Sequence, residues 1–162
     1  TARSYAVSPS DLDEDGNAVD TPSYNEYGDY VLYRPDAVDD TPIYGLPVDY
    51  TTASFPYDTY IAPANAEFDR FASDGVRVYL TYSPRNSRAV SADSTPEAVA
   101  ALDAHFRENL DVVFLTPLQD SLMPGRYFYG TDNHLSTNGV TMRTAQVIDA
   151  LTKQLQGEGI AP

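Results

Sequence analysis

The sequence predicts an α/β protein: parallel strands in the C-terminal part, preceded by a loop-rich N-terminal region. Three observations carry this. From about residue 61 the pattern runs helix, strand, helix, strand, loop, helix, the order of a parallel α/β layer. Two segments, Val76–Tyr82 and Asp111–Thr116, are short β-branched and aromatic runs of the kind that buried strands show. Residues 1–60 are instead rich in Pro, Asp, Tyr and Thr, with little helical periodicity. The chain therefore divides into a loop-rich Tyr/Asp/Pro segment with short strands, 1–60, and an α/β portion, 61–162.

Composition bounds the partners. A chain of 162 residues is long enough for one domain with a core. It has 24 acidic residues against 10 basic ones, a net charge of −14. That excess excludes nucleic acid, whose phosphates need Lys and Arg, and anionic membrane surfaces for the same reason. No cysteine is present, so disulfides and thiolate metal sites are excluded. No apolar run approaches the ~20 residues of a membrane span. Thr1 opens no signal peptide, so any targeting segment lies outside this sequence.

In the first region, Ser4–Val7 and Tyr30–Tyr33 are the best strand candidates. Asp11, Asp13 and Asp15 place oxygen ligands at alternate positions before Gly16, like the first half of a calcium loop. The twelfth position, where a bidentate Glu is needed, is Pro22, and the plainer reading is a solvated Asp-Gly turn. Calcium on these three aspartates is the one cofactor the residues suggest. Gly28-Asp29 between tyrosines is a turn signal.

In the second region, Pro63 suits the first turn of a helix, Phe68 and Phe71 share a face, and Gly75 follows as a C-cap. The strand Val76–Tyr82 ends in a polar loop, Ser83–Arg88. Ser83 is the internal serine placed where a nucleophile sits. No Gly-x-Ser-x-Gly elbow surrounds it, and Pro84 removes an N–H that would serve an oxyanion hole, so Ser83 reads as a site-lining residue. Ser94, Pro96 and Glu97 open the next helix, and Val99, Leu102, Phe106 and Leu110 form its apolar stripe. His105 on that helix reads as a surface or edge residue. The strand Asp111–Thr116 is closed by Pro117. The last helix starts near Ser136 or Thr137. It should bury Val140, Thr144, Val147, Ile148, Leu151 and Leu155, and end at Gly157.

Between that strand and that helix lies Tyr127–Gly139, which holds His134, one of two histidines. Asp132 stands two residues before it. An imidazole with a carboxylate nearby is the base-plus-orienter half of a nucleophilic triad. Asp132-Asn133-His134-Leu135-Ser136, then Gly139, Arg143-Thr144 and an apolar helix, resembles the last conserved block of the SGNH (GDSL-type) hydrolases. In that family the Asp usually stands three residues before the His; here that position is Thr131. The Gly-Asp-Ser and Gly-x-Asn-Asp blocks of the family are absent.

The resemblance implies a C-terminal portion of a three-layer SGNH/flavodoxin-like parallel sheet. It implies a serine esterase or acyltransferase acting on O-acyl esters, such as an O-acetyl glycan, outside a bacterial cell or at its surface. His134 would be the general base and Asp132 its orienter, with Asn133, Ser83 and Asn86 as substrate-binding residues. Two parallel strands are too few for a sheet covered on both faces. The nucleophilic Ser is therefore expected on a companion N-terminal piece. The competing expectation is a non-catalytic SGNH-like secreted domain whose tyrosine-rich loops stack on sugars or bind protein.

Overall fold

The computed structural model describes residues 35–38, 43, 45–54 and 57–160, with two short strands before them. The chain forms two compact units, Thr1–Tyr33 and Arg34–Pro162. In the first, β1 (Ser23–Tyr24) pairs antiparallel with β2 (Tyr30–Val31), Ser23 opposite Val31. The expected strand at Ser4–Val7 and the aspartates Asp11, Asp13 and Asp15 lie outside the described residues.

The second unit is a small α/β fold of helices and short parallel strands. Its elements are α1 (Tyr57–Ser73), β3 (Tyr79–Leu80), β4 (Arg85–Asn86), α2 (Pro96–Asn109), β5 (Val113–Phe114), β6 (Leu122–Met123) and α3 (Thr137–Gly157). β3 pairs in parallel with β5, and β4 in parallel with β6. The expected order is present, with two more strands in segments read as loops. β4 is a polar Arg-Asn pair and carries no alternating apolar signal, which is why the sequence does not announce it.

Helix α1 begins at Tyr57, ahead of the expected start, and Pro63 lies inside it. Pro63 and Thr59 are both exposed, so water can take the carbonyl left without its N–H partner. The helix ends as the sequence suggests. Gly75 has φ +75°, its N–H meets the Ala72 carbonyl, and the Val76 N–H reaches the Phe71 carbonyl at 2.9 Å. These are the paired bonds of a glycine-closed helix end.

Helix α2 is capped by Thr95, whose hydroxyl accepts the Ala98 N–H, and not by Ser94. Ser94 Oγ instead accepts the Tyr50 N–H at 2.8 Å and sits 3.0 Å from Ser91 Oγ. Tertiary partners thus take the residue that local pattern assigned to the cap. Val99 and Leu102 of α2 meet Leu118 in the core, ringed by Tyr50, Tyr82, Phe106 and Leu122. The Tyr82 ring stacks on Phe114 at 5.2 Å. Burial, and then the Asp103 carboxylate, hold its phenol far above the ordinary range.

Helix α3 departs from its expected face. Val140, Val147, Leu151 and Leu155 are half-buried, while Thr144 and Ile148 are exposed. Its most deeply set long side chain is Arg143, at 7% exposure. The guanidinium donates to Thr81 Oγ1, the Tyr82 carbonyl and Gln146 Oε1. Thr81 Oγ1 lies 3.0 Å from Thr116 Oγ1, so the same clamp reaches the end of β5. Burial lowers the Arg143 pKa, and the Asp120 charge opposes that shift.

The far end of α3 is fastened to the start of the same strand. Tyr79 OH donates to Glu158 Oε2 at 2.7 Å, and Arg77 stands 3.5 Å from that oxygen. Helix and strand therefore run in opposite directions. The helix closes beyond Gly157, at Gly159 (φ +74°), with the Ile160 N–H on the Leu155 carbonyl. On β5, Val113 stays 40% exposed, and Val76, in the turn that closes α1, is 48% exposed. Among the described residues no helix is long and apolar enough to cross a membrane.

Two outcomes follow for stability. Arg143→Met leaves the Tyr82 carbonyl without its charged donor and should lower unfolding free energy by about 2–3 kcal/mol, read from urea midpoints. Arg143→Lys should not restore it, because an ammonium lacks the planar fork. Hydrogen bonds from Gln154 and Tyr79 hold the Glu158 carboxyl below its ordinary range. The unfolded chain therefore takes up this proton first, so the contribution is whole at neutral pH and lost as pH falls through the folded value. Melting curves of Glu158→Gln should show a weaker acid dependence than those of the parent chain.

Candidate active site

The His134 segment folds as a hairpin. The Tyr129 N–H meets the His134 carbonyl at 3.0 Å, Phe128 bridges Leu135, and the Ser136 N–H meets the Tyr127 carbonyl at 2.8 Å. Gly130 takes φ +63°, which a side-chain-free residue adopts without strain. Thr131 Oγ1 accepts the N–H groups of both Asn133 and His134, at 3.2 and 3.0 Å. Such a hydroxyl bond to the following backbone closes the tip. Phe128 and Ser136 at the base are fully buried.

Ser136 also starts α3, its hydroxyl accepting the Gly139 N–H at 3.3 Å. Gly139 packs directly against the hairpin. A Cβ there would collide with the Tyr127 carbonyl oxygen and lie 3.1 Å from Tyr127 Cβ. Base and helix thus form one piece.

Strand β4 fixes the tip from the other side. Asn86 is fully buried. Its N–H meets the Asp132 carbonyl at 2.9 Å, and its Nδ2 donates to Asp132 Oδ1 at 3.1 Å. Its Oδ1 accepts the Arg88 N–H at 3.1 Å. Next to it, Arg85 Nη1 donates to Asn133 Oδ1 at 3.0 Å.

These bonds sort the candidate residues. His134 is exposed, with its ring tilted 45° to Tyr129 at 6.1 Å between centroids. Among the described residues its ring forms no hydrogen bond. Asp132 is 4% exposed and receives the Asn86 amide on Oδ1, so it anchors the hairpin. Asn133 is exposed beside Arg85. Asn86 is sealed inside and acts on the loop, not on solvent. Ser83 is exposed and lines an apolar cavity of about 520 Å³ with Tyr50, Leu80, Tyr82, Leu102 and Phe106. Ser121 is fully buried and donates to the Leu118 carbonyl at 2.7 Å, which removes it as a nucleophile.

Among the described residues no group of three or more His, Cys, Asp or Glu side chains is arranged to hold a metal ion. Comparison with family models, with curated proteins and with solved structures found no match to this chain. The residue that sequence reasoning missed is Arg85. Its only signal was position, in the polar loop after the first strand, and the pairing that brings it to Asn133 spans 48 residues.

The packing at Gly139 is directly testable. Gly139→Ala pushes on a backbone carbonyl already engaged by Ser136, and should cost about 1–3 kcal/mol of stability. Chemical denaturation measures that loss. Amide exchange should quicken at Ser136 and Tyr129 as the hairpin base loosens.

Proposed function

We propose that this chain is the His-bearing, C-terminal part of an SGNH-like serine esterase or acyltransferase. The observation that carries the reading is His134. An imidazole with an unbonded ring stands on a hairpin whose tip and base are both held by buried partners. A held backbone that presents an imidazole to solvent suits a general base, which must reach the proton it takes. In this reading His134 takes the proton of a serine hydroxyl as the oxygen attacks an ester carbonyl. It then returns that proton to the departing alcohol, and water or an acceptor hydroxyl releases the acyl group. No cofactor enters this scheme.

The serine belongs to a companion piece that extends the parallel pairs into the three-layer sheet of that family. The exposure of Val113 on β5 supports a missing neighbour. The substrate class, O-acyl groups such as O-acetyl on a glycan, and the site of action, outside a bacterial cell or on its surface, rest on the resemblance.

One observation favours a second reading. The carboxylate nearest His134 in sequence is engaged by Asn86. A histidine without its orienting carboxylate suits a non-catalytic SGNH-like domain that binds glycans or other surface components.

A fluorophosphonate probe applied to the natural product decides between them. A labelled serine on a companion chain, with labelling lost in His134→Ala, is the expected result. Labelling that survives His134→Ala, or no labelled serine at all, would overturn the esterase reading in favour of the binding one.

A further inference from the structure

Among the described residues Arg85 is a cation without a counter-ion. Nη1 holds Asn133, Nη2 reaches the Ala89 carbonyl only at 3.4 Å, and Nε is sealed from solvent with no hydrogen-bond partner. Three other arginines are paired, whereas Arg126 and Arg143, like Arg85, form no ion pair among the described residues. Arg70 pairs with Glu67 and Asp74, Arg77 with Glu158, and Arg107 with Asp103. With 24 acidic residues against 10 basic, pairing is what the surface offers. A half-buried guanidinium left unpaired pays a desolvation penalty that a carboxylate would offset.

We infer that the His134 face receives a carboxylate-bearing ligand, with Arg85 taking the carboxylate next to the imidazole. A guanidinium presents five N–H donors in a planar fork that matches a carboxylate; with Nε sealed, the second N–H groups of Nη1 and of Nη2 remain for a ligand. Tyr129 lies against the His134 ring. An aromatic face beside a cation suits a sugar ring that carries an acid group. The net charge of −14 does not forbid this. Screening confines distant repulsion to about 8 Å at physiological salt, whereas Arg85 would act at contact. The inference deepens the esterase reading for the identity of its substrate, an ester on an acidic glycan, and rests on it there. The binding itself needs no serine.

Titration of the full chain with hexagalacturonate, with a neutral galacto-oligosaccharide of equal length and with sodium acetate tests it. Hexagalacturonate should bind, weaken as salt rises, and bind roughly ten- to a hundredfold less tightly to Arg85→Gln. Equal binding of the charged and neutral oligomers, or unchanged binding by a folded Arg85→Gln, overturns the inference. Should that variant unfold, nuclear magnetic resonance of the parent chain decides. Shifts at Asn133 and His134 with hexagalacturonate support the inference, and their absence overturns it. The same shifts with acetate at equal carboxylate assign the site to any carboxylate, and without them to the acidic sugar. Binding without probe labelling retires the esterase reading and keeps this one. Labelling without charge preference does the reverse.

Discussion

The buried Arg143 guanidinium is the contact on which the second unit turns. It ties the first turns of α3 to the ends of β3 and, through Thr81 and Thr116, β5. A charged group so far from water is tolerable only because its donors meet oxygens on three residues. Everything C-terminal inherits its position from this. Helix α3 begins at Ser136, which also closes the hairpin, and Gly139 leaves no gap between them. The path from sheet to His134 is thus a sequence of short, saturated polar contacts, with the apolar core set to one side.

That core is small. Val99, Leu102 and Leu118 form its centre, and much of the specificity comes instead from fully buried polar residues: Asn86, Ser121 and Ser136. Asn86 is the second anchor. It reaches Asp132 with both backbone and side chain, so the hairpin tip is held from β4 while its base is held from α3. The imidazole lies between two independent supports. Such a loop has few ways to relax, which is the condition for placing a reacting group accurately.

Part of this was legible in the sequence. The helices α2 and α3, the parallel pair β3 and β5, and the His134 loop all follow from periodicity, β-branched runs and Gly or Pro punctuation. What was not legible depends on contacts distant in sequence. Strands β4 and β6 are two residues each and find each other only in three dimensions. Ser94 looked like a cap and is claimed by Tyr50. Asp132 looked like the partner of His134 and is claimed by Asn86. Arg143 had the right place beside Thr144 for the family pattern, but nothing local reveals that it is buried. In the cases of Ser94 and Asp132 a polar side chain with several acceptable partners was assigned to a near one and took a far one.

The valine left open on β5 has a colloidal consequence. A short parallel pair with an exposed apolar side chain is a template on which another chain can pair. Like charge keeps copies apart, and at −14 that repulsion is considerable. It is also the one protection that salt removes, since screening shortens its range without weakening apolar contact. The acidity of the chain therefore acts as a dispersant for an exposed strand pair, and its solubility becomes a function of ionic strength.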